Sequence, residues 1–181
     1  AIIAALLYML QRWVAWISTN FVVTVDALRA KLTPATKAIL LGYPCNPTGA
    51  VLDRDSMEAI ARFAEEHDLI VISDELYDRL VYGVQHICFA SLPGMRERTI
   101  FLHGFSKAFA MTGWRLGYMG APKYIADACS KIQGQVTSGA ASFSQKAGAV
   151  ALMADLSPTY AMREAFRERR DIILSLIHIS E

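Results

Sequence analysis

A sequence of 181 residues fits one ordinary domain, able to bury about 70% of its unfolded surface on folding. Its 18 Lys and Arg against 17 Asp and Glu leave a net charge of +1, and 54% of its residues are hydrophobic. The first excludes a basic field that would capture nucleic acid, and the second excludes general disorder. Three scattered cysteines, Cys45, Cys88 and Cys129, contain no C-x-x-C pair. They argue against a disulfide framework or a zinc site and for a reducing, cytoplasmic compartment.

The first ten residues, Ala1 to Leu10, form an unbroken apolar run, followed by Gln11-Arg12 and then Trp13 to Ile17. A membrane span needs about 20 apolar residues, and Arg12 falls at the centre of this stretch. A signal peptide fits no better, because the run has neither a basic leader nor an initiating Met. The expected reading is a buried helix or an internal piece of a longer chain, with no membrane partner.

From there apolar, β-rich runs alternate with amphipathic helical patterns, the signature of an α/β fold built on a mostly parallel sheet sandwiched by helices. Thr36 to Leu41 reads as a strand and Gly42 to Gly49, dense in Pro, Gly and Asn, as a loop. A helix follows, capped by Asp53 or Asp55, with Met57, Ile60, Ala61 and Ala64 on one face. Leu69 to Ser73, Thr99 to His103 and Arg115 to Met119 read as strands. Lys123 to Gln133, Ser142 to Ala154 and Thr159 to Ile173 read as helices, the last opened by Ser157-Pro158 in the cap and first-turn positions. The tail, Leu174 to Glu181, departs from the charged pattern before it and resembles read-through of a transposase sequencing adapter. Native sequence is expected to end near Ile173.

Ligands of open α/β sheets bind at the carboxyl ends of the strands. Three such ends carry unusual polar residues here: Asn46-Pro47-Thr48-Gly49, then Asp74-Glu75 with Tyr77, then Gly104-Phe105-Ser106-Lys107. Each alone has a plain structural explanation, as a turn, a helix cap or a solvated lysine. His103 reads as a packed core residue, Trp114 and Met111 as packing beneath the lysine loop, and the scattered His67, His86 and His178 suggest no metal site.

Together the three clusters are specific. Residues 104 to 117, Gly-Phe-Ser-Lys-Ala-Phe-Ala-Met-Thr-Gly-Trp-Arg-Leu-Gly, resemble the pyridoxal-phosphate lysine signature of class I aminotransferases. Asn46-Pro47-Thr48-Gly49 and Ile72-Ser73-Asp74-Glu75-Leu76-Tyr77 match that family's other two cofactor motifs in the expected order. The resemblance runs from about Phe21 to Ile173 and implies the large domain of a fold type I pyridoxal-phosphate enzyme. Residues 1–158 would be part of that domain, with 1–17 outside the family pattern. Residues 159–173 would lead into a small domain, and 174–181 would be a non-native tail.

By this resemblance Lys107 is the Schiff-base lysine, which holds the cofactor aldehyde and then moves a proton as general base and general acid. Asp74 would face the pyridine nitrogen, where a carboxylate favours the protonated ring. Asn46 and Tyr77 would hydrogen-bond the ring phenolate oxygen, and Arg115 would grip the phosphate through a guanidinium's two parallel hydrogen bonds. Many relatives place a phosphate-binding serine three residues before the lysine. This chain has Gly104 there, leaving the Ser106 hydroxyl or the Gly104 amide as the substitute.

The implied activity is transfer of an amino group from an L-amino acid, aspartate or aromatic, to a 2-oxo acid such as 2-oxoglutarate. The implied full-length protein is a homodimer in amino-acid metabolism. The family's Gly-rich phosphate loop and its substrate-carboxylate arginine have no match, so the chain alone is expected to be a truncated product, inactive or nearly so. Two rivals share the scaffold: another pyridoxal-phosphate reaction, such as a β-lyase or a cyclase, and the effector domain of a transcription regulator. The second would need a helix-turn-helix module that this sequence does not display. A general nucleotide-binding domain is disfavoured, because neither G-x-G-x-x-G nor G-x-x-x-x-G-K-[ST] occurs.

Overall fold

A computed structural model describes residues 21–177. The chain enters through a helix absent from the sequence expectation, α1 (Val25–Lys31), whose first turn is capped by Thr24 Oγ1 accepting from the Ala27 amide at 3.4 Å. Then come β1 (Ala38–Gly42), α2 (Arg54–Glu66), β2 (Ile70–Asp74), β3 (Thr99–Gly104) and β4 (Gly117–Gly120). Three helices follow: α3 (Lys123–Val136), α4 (Ser142–Met153) and α5 (Ser157–Ile177). Single 3₁₀ turns occupy Phe89–Ser91 and Thr112–Trp114.

The four strands lie side by side in chain order, β1, β2 and β3 parallel and β4 antiparallel to β3. The predicted fold class is therefore the observed one: a mostly parallel sheet flanked by helices. Of the two candidate caps, Asp53 opens α2, accepting the Ser56 amide at 2.8 Å. The Ser56 hydroxyl first and its amide second favour the charged form and lower the Asp53 pKa. The strand expected from Arg115 to Met119 starts two residues later, because Arg115 takes a left-handed backbone with φ at +51°. Helix α5 begins at Ser157 itself and continues beyond the expected end at Ile173.

Burial follows the period-2 alternation of the strands. Ile39 and Leu41 of β1 and Val71 and Ser73 of β2 are buried, while their neighbours are half-buried or exposed. Against this buried face α2 lays Met57, Ile60, Ala61, Phe63 and Ala64, and the core is completed by Leu28, Leu52, Leu69, Phe89, Leu92 and Met95. Among the described residues no helix is long and apolar enough to cross a membrane.

Two glycines let elements approach around β3 and β4. A Cβ on Gly104 would stand 3.1 Å from Leu76 Cδ1, 3.3 Å from the Leu116 carbonyl oxygen and 3.4 Å from Gly117 Cα. A Cβ on Gly148, in α4, would meet Leu116 Cδ2 at 2.5 Å and the Phe105 ring at 2.9 Å. Helix α4 thus rests on Phe105 and Leu116, the two residues at the base of the segment that carries Lys107.

Thermal melts can weigh these contacts. Ile60, 1% exposed, is expected to lose about 2–5 kcal/mol on truncation to Ala, a fall of roughly 4–20 °C in Tm, while Arg62→Ala on the outer face stays within about 0.5 kcal/mol. Gly104→Ala should cost about 1–3 kcal/mol, because two of the three atoms in its way are backbone.

Candidate active site

The parallel register sets the strand ends level: Gly42 pairs with Asp74, and Asp74 with Leu102. The three polar clusters therefore emerge from adjacent strands at one edge of the sheet. The loop after β1 folds back on itself, with the Cys45 amide donating to Ala50 O at 2.9 Å and the Gly49 amide to Cys45 O at 2.8 Å. That turn projects Asn46, whose Nδ2 donates to the Tyr77 hydroxyl at 3.1 Å.

Lys107 arrives from the connection between antiparallel β3 and β4. This connection is closed at its base by the Phe105 amide donating to Leu116 O at 3.4 Å and across its middle by the Met111 amide donating to Phe105 O at 3.1 Å. The Thr112 hydroxyl donates to Ser106 O at 3.0 Å. The half-buried Lys107 Nζ lies 5.3 Å from the centroid of the Tyr77 ring, over its face. Asn46, Tyr77 and Lys107, from three separate segments, form one contact group.

Asp74 closes β2 with an exposed side chain whose Oδ1 accepts the Leu76 amide at 3.2 Å. It shares with Asn46 the lining of a cavity of about 300 Å³, together with Tyr43, Pro47 and Thr48. The Tyr43 hydroxyl donates to Phe21 O at 2.8 Å, and burial pushes its pKa up against the opposing hydrogen bond from the Val23 amide. A second cavity, of about 520 Å³, opens on the other side of Asn46 between Tyr77, Leu80, Tyr82 and Arg170. The Arg170 guanidinium lies 4.7 Å from the Tyr82 ring centroid.

Ser106 and Arg115 share the Lys107 connection but, among the described residues, make no hydrogen bond to Asn46 or Tyr77. Arg115 is exposed, and its Nη1 donates to Thr112 O at 3.1 Å; it pairs with no carboxylate among the described residues. At Gly104, where many relatives carry serine, a Cβ would stand 3.1–3.4 Å from Leu76, Leu116 and Gly117, so a side chain there would need these neighbours to shift by a few tenths of an ångström. His103 is buried as expected, stacked against Phe101 and tilted against Tyr118, its Nε2 2.9 Å from Asp78 Oδ1 but off the line a hydrogen bond needs. Trp114 corrects an expectation. It is 44% exposed and packs beside Phe143 of α4 with ring centroids 6.1 Å apart, because the 3₁₀ turn carries it outward rather than beneath the loop. Met111, expected with it, is half-buried.

Sequence reasoning passed over Glu75, which is 1% exposed. Its Oε1 accepts from Ser73 Oγ at 2.8 Å and from the Phe89 amide at 2.9 Å, and its Oε2 lies 2.6 Å from His86 Nε2. The signal was present, since the alternation that buries Val71 and Ser73 continues to residue 75. Burial, and then the Glu75 charge, raise the pKa of the neighbouring Cys88 thiol.

The family model for "Aminotransferase class I and II" matches residues 10–178. An aspartate aminotransferase of Pinus pinaster is 45% identical over 170 residues, covering 91% of this chain and 35% of the relative. A bifunctional aspartate aminotransferase and glutamate/aspartate-prephenate aminotransferase of Petunia hybrida is 48% identical over 163 residues, covering 87% of this chain and 34% of the relative. The crystal structure of an aromatic aminotransferase from Pyrococcus horikoshii OT3 superimposes with a TM-score of 0.83 at 44% identity, over 86% of this chain and 43% of that one. The chain thus spans 34–41% of the length of the curated relatives it matches. On the sequence match, the superposition and the ordered motifs around Lys107, it belongs to the class I and II aminotransferases.

Proposed function

We propose that the protein is a pyridoxal-phosphate-dependent aminotransferase, moving an amino group from L-aspartate or an aromatic L-amino acid to a 2-oxo acid such as 2-oxoglutarate. The observation that carries this reading is the contact group at the strand ends: Lys107 Nζ over the Tyr77 ring, with the Tyr77 hydroxyl held by Asn46. The relatives named above are aspartate and aromatic aminotransferases, which supports amino-group transfer over a β-lyase, a cyclase or a regulator's effector domain.

The residues fit the cofactor's chemistry. Arg115 is a solvent-facing guanidinium without a carboxylate partner among the described residues, suited to a phosphate. Asp74 is an exposed carboxylate at a strand end, suited to a protonated ring nitrogen, and it shares a cavity with Asn46. The Asn46 amide and the Tyr77 hydroxyl form a ready pair of donors for a ring oxygen. When bound, pyridoxal phosphate supplies an aldehyde that condenses with amines, releasing water, and a cationic ring that takes up the electron pair left at an amino acid's α-carbon.

Lys107 would hold the cofactor covalently through Nζ and would be released from it by the substrate amine. Its free Nζ would be the group placed to accept the α-proton and return it one position away, first as base and then as acid. The Tyr77 ring face beneath Nζ limits where that amine can travel. Asp74 would keep the ring nitrogen protonated, while Asn46 and Tyr77 would stabilise the ring oxygen. Ser106 or the Gly104 amide would add a donor for the phosphate beside Arg115. The same reading places the enzyme in the cytoplasm as a homodimer. Exposed apolar side chains along α4 and α5, including Phe143, Val150, Leu152 and Ile172, support a covered face there.

Reduction with borohydride in the presence of pyridoxal phosphate, followed by peptide mass spectrometry, tests the site. Label is expected at Lys107 and is expected to vanish in Lys107→Ala; label spread evenly over surface lysines in both proteins would refute the assignment. In a full-length enzyme carrying this sequence, Lys107→Ala should lower kcat by roughly 10²–10⁴-fold or more. Asp74→Ala should retain the label yet lose most of its turnover.

A further inference from the structure

We propose that Glu75 and His86 are positioning residues for Tyr77: a buried carboxylate–imidazole clamp that closes residues 76–88 into a ring and sets the phenol against Asn46 and Lys107. The proposal rests on the reading of Tyr77 as a residue of the cofactor site. The ring leaves β2 directly after Asp74. Its turns are held by the Asp78 amide donating to Glu75 O at 3.0 Å and the Leu80 amide donating to Tyr77 O at 2.9 Å. It then returns to its own starting point, where His86 Nε2 and the Phe89 amide meet the two Glu75 oxygens at 2.6 and 2.9 Å.

Both sides of this contact are shielded, Glu75 being 1% exposed and the His86 side chain 10%. A carboxylate that far from water is tolerated only when donors satisfy it, and here Ser73 Oγ, the Phe89 amide and His86 do so. Removing the imidazole leaves Oε2 buried without a donor, and the ring must open to let water reach it. His103 of β3 approaches the same ring at Asp78, 2.9 Å away but without a hydrogen bond, so the Glu75–His86 contact closes the ring without help from it. Within the ring, Tyr77 is the residue that touches both Asn46 and Lys107. The clamp lies behind it, without a described contact to either.

Hydrogen exchange on the 181-residue chain without cofactor reads the clamp directly. His86→Ala should speed exchange of the amides between Leu76 and Phe89 by roughly ten- to hundredfold, with α2 and β1 unchanged. His86→Gln, which keeps a side-chain N–H donor, should restore much of the protection. Unchanged exchange in His86→Ala overturns the proposal. So does acceleration across the whole domain that His86→Gln fails to reverse.

With pyridoxal phosphate bound, the second readout is the pH at which the visible band of the lysine-linked cofactor titrates. Tyr77→Phe should move it, His86→Ala should move it in the same direction, and the double variant should move it no further than Tyr77→Phe alone. Additive shifts would mean that His86 acts independently of Tyr77 and would overturn the proposal. Failure of the unmodified chain to take up the cofactor at Lys107 would instead sink the aminotransferase-site reading. The exchange experiment then decides the clamp by itself.

Discussion

The parallel ladder joining β1, β2 and β3 is the constraint on which the site depends. Evenly spaced hydrogen bonds hold Gly42, Asp74 and Leu102 level, so chain segments distant in sequence leave the sheet within a few ångströms of one another. Asn46 and Tyr77 are separated by 31 positions, yet they meet at 3.1 Å because their strands end together. The hydrophobic face of α2 maintains this alignment indirectly. A slip of one residue in β2 would turn Val71 and Ser73 away from Ile60 and Phe63 and bring Ile72 and Asp74 inward. Core packing and site geometry are thus parts of a single register.

The same alternation divides two adjacent carboxylates. Asp74 lies on the open face and stays exposed; Glu75, one residue on, follows Val71 and Ser73 inward and is satisfied by Ser73, Phe89 and His86. Neighbours in sequence acquire opposite tasks because successive side chains of an extended segment point to opposite sides. One is left exposed at the strand end, where the proposed reading gives it a ligand's positive charge. The other is spent on internal structure, and its charge contributes to the raised pKa of Cys88.

Legibility in the sequence followed the range of the forces involved. Strands and long helices were readable because hydrophobic periodicity is local: β2 and β3 appear within a residue of expectation, and Asp53 caps α2 as its sequence suggests. The short α1 was not, since seven residues offer too little period and Thr24 alone marks its start. Trp114 departs from expectation because a large apolar side chain ordinarily packs inward, whereas here it stays partly exposed beside Phe143 of α4, a neighbour supplied from far along the chain. The candidate site residues could be singled out only as a set. Asn46, Asp74 and Lys107 each have an ordinary explanation, and what distinguishes them is that three strand ends carry them together.

The connection from Phe105 to Leu116 shows how two cations of opposite behaviour come from one loop. Antiparallel pairing of Gly104 with Gly117 returns the chain beside its point of departure, so Lys107 leaves on one arm and Arg115 arrives on the other. Internal bonds from Met111 to Phe105 and from Thr112 to Ser106 stiffen the span between them. Lys107 is drawn inward over the Tyr77 ring, while the left-handed backbone at residue 115 turns the guanidinium toward solvent. The close approach of α4 at Gly148 braces the base of this loop through Phe105 and Leu116. The turn between antiparallel strands separates the Lys107 amine, directed at Tyr77, from the Arg115 guanidinium, directed at solvent, and that separation is what the proposed division of labour, a lysine that exchanges partners and an arginine that keeps one, would require.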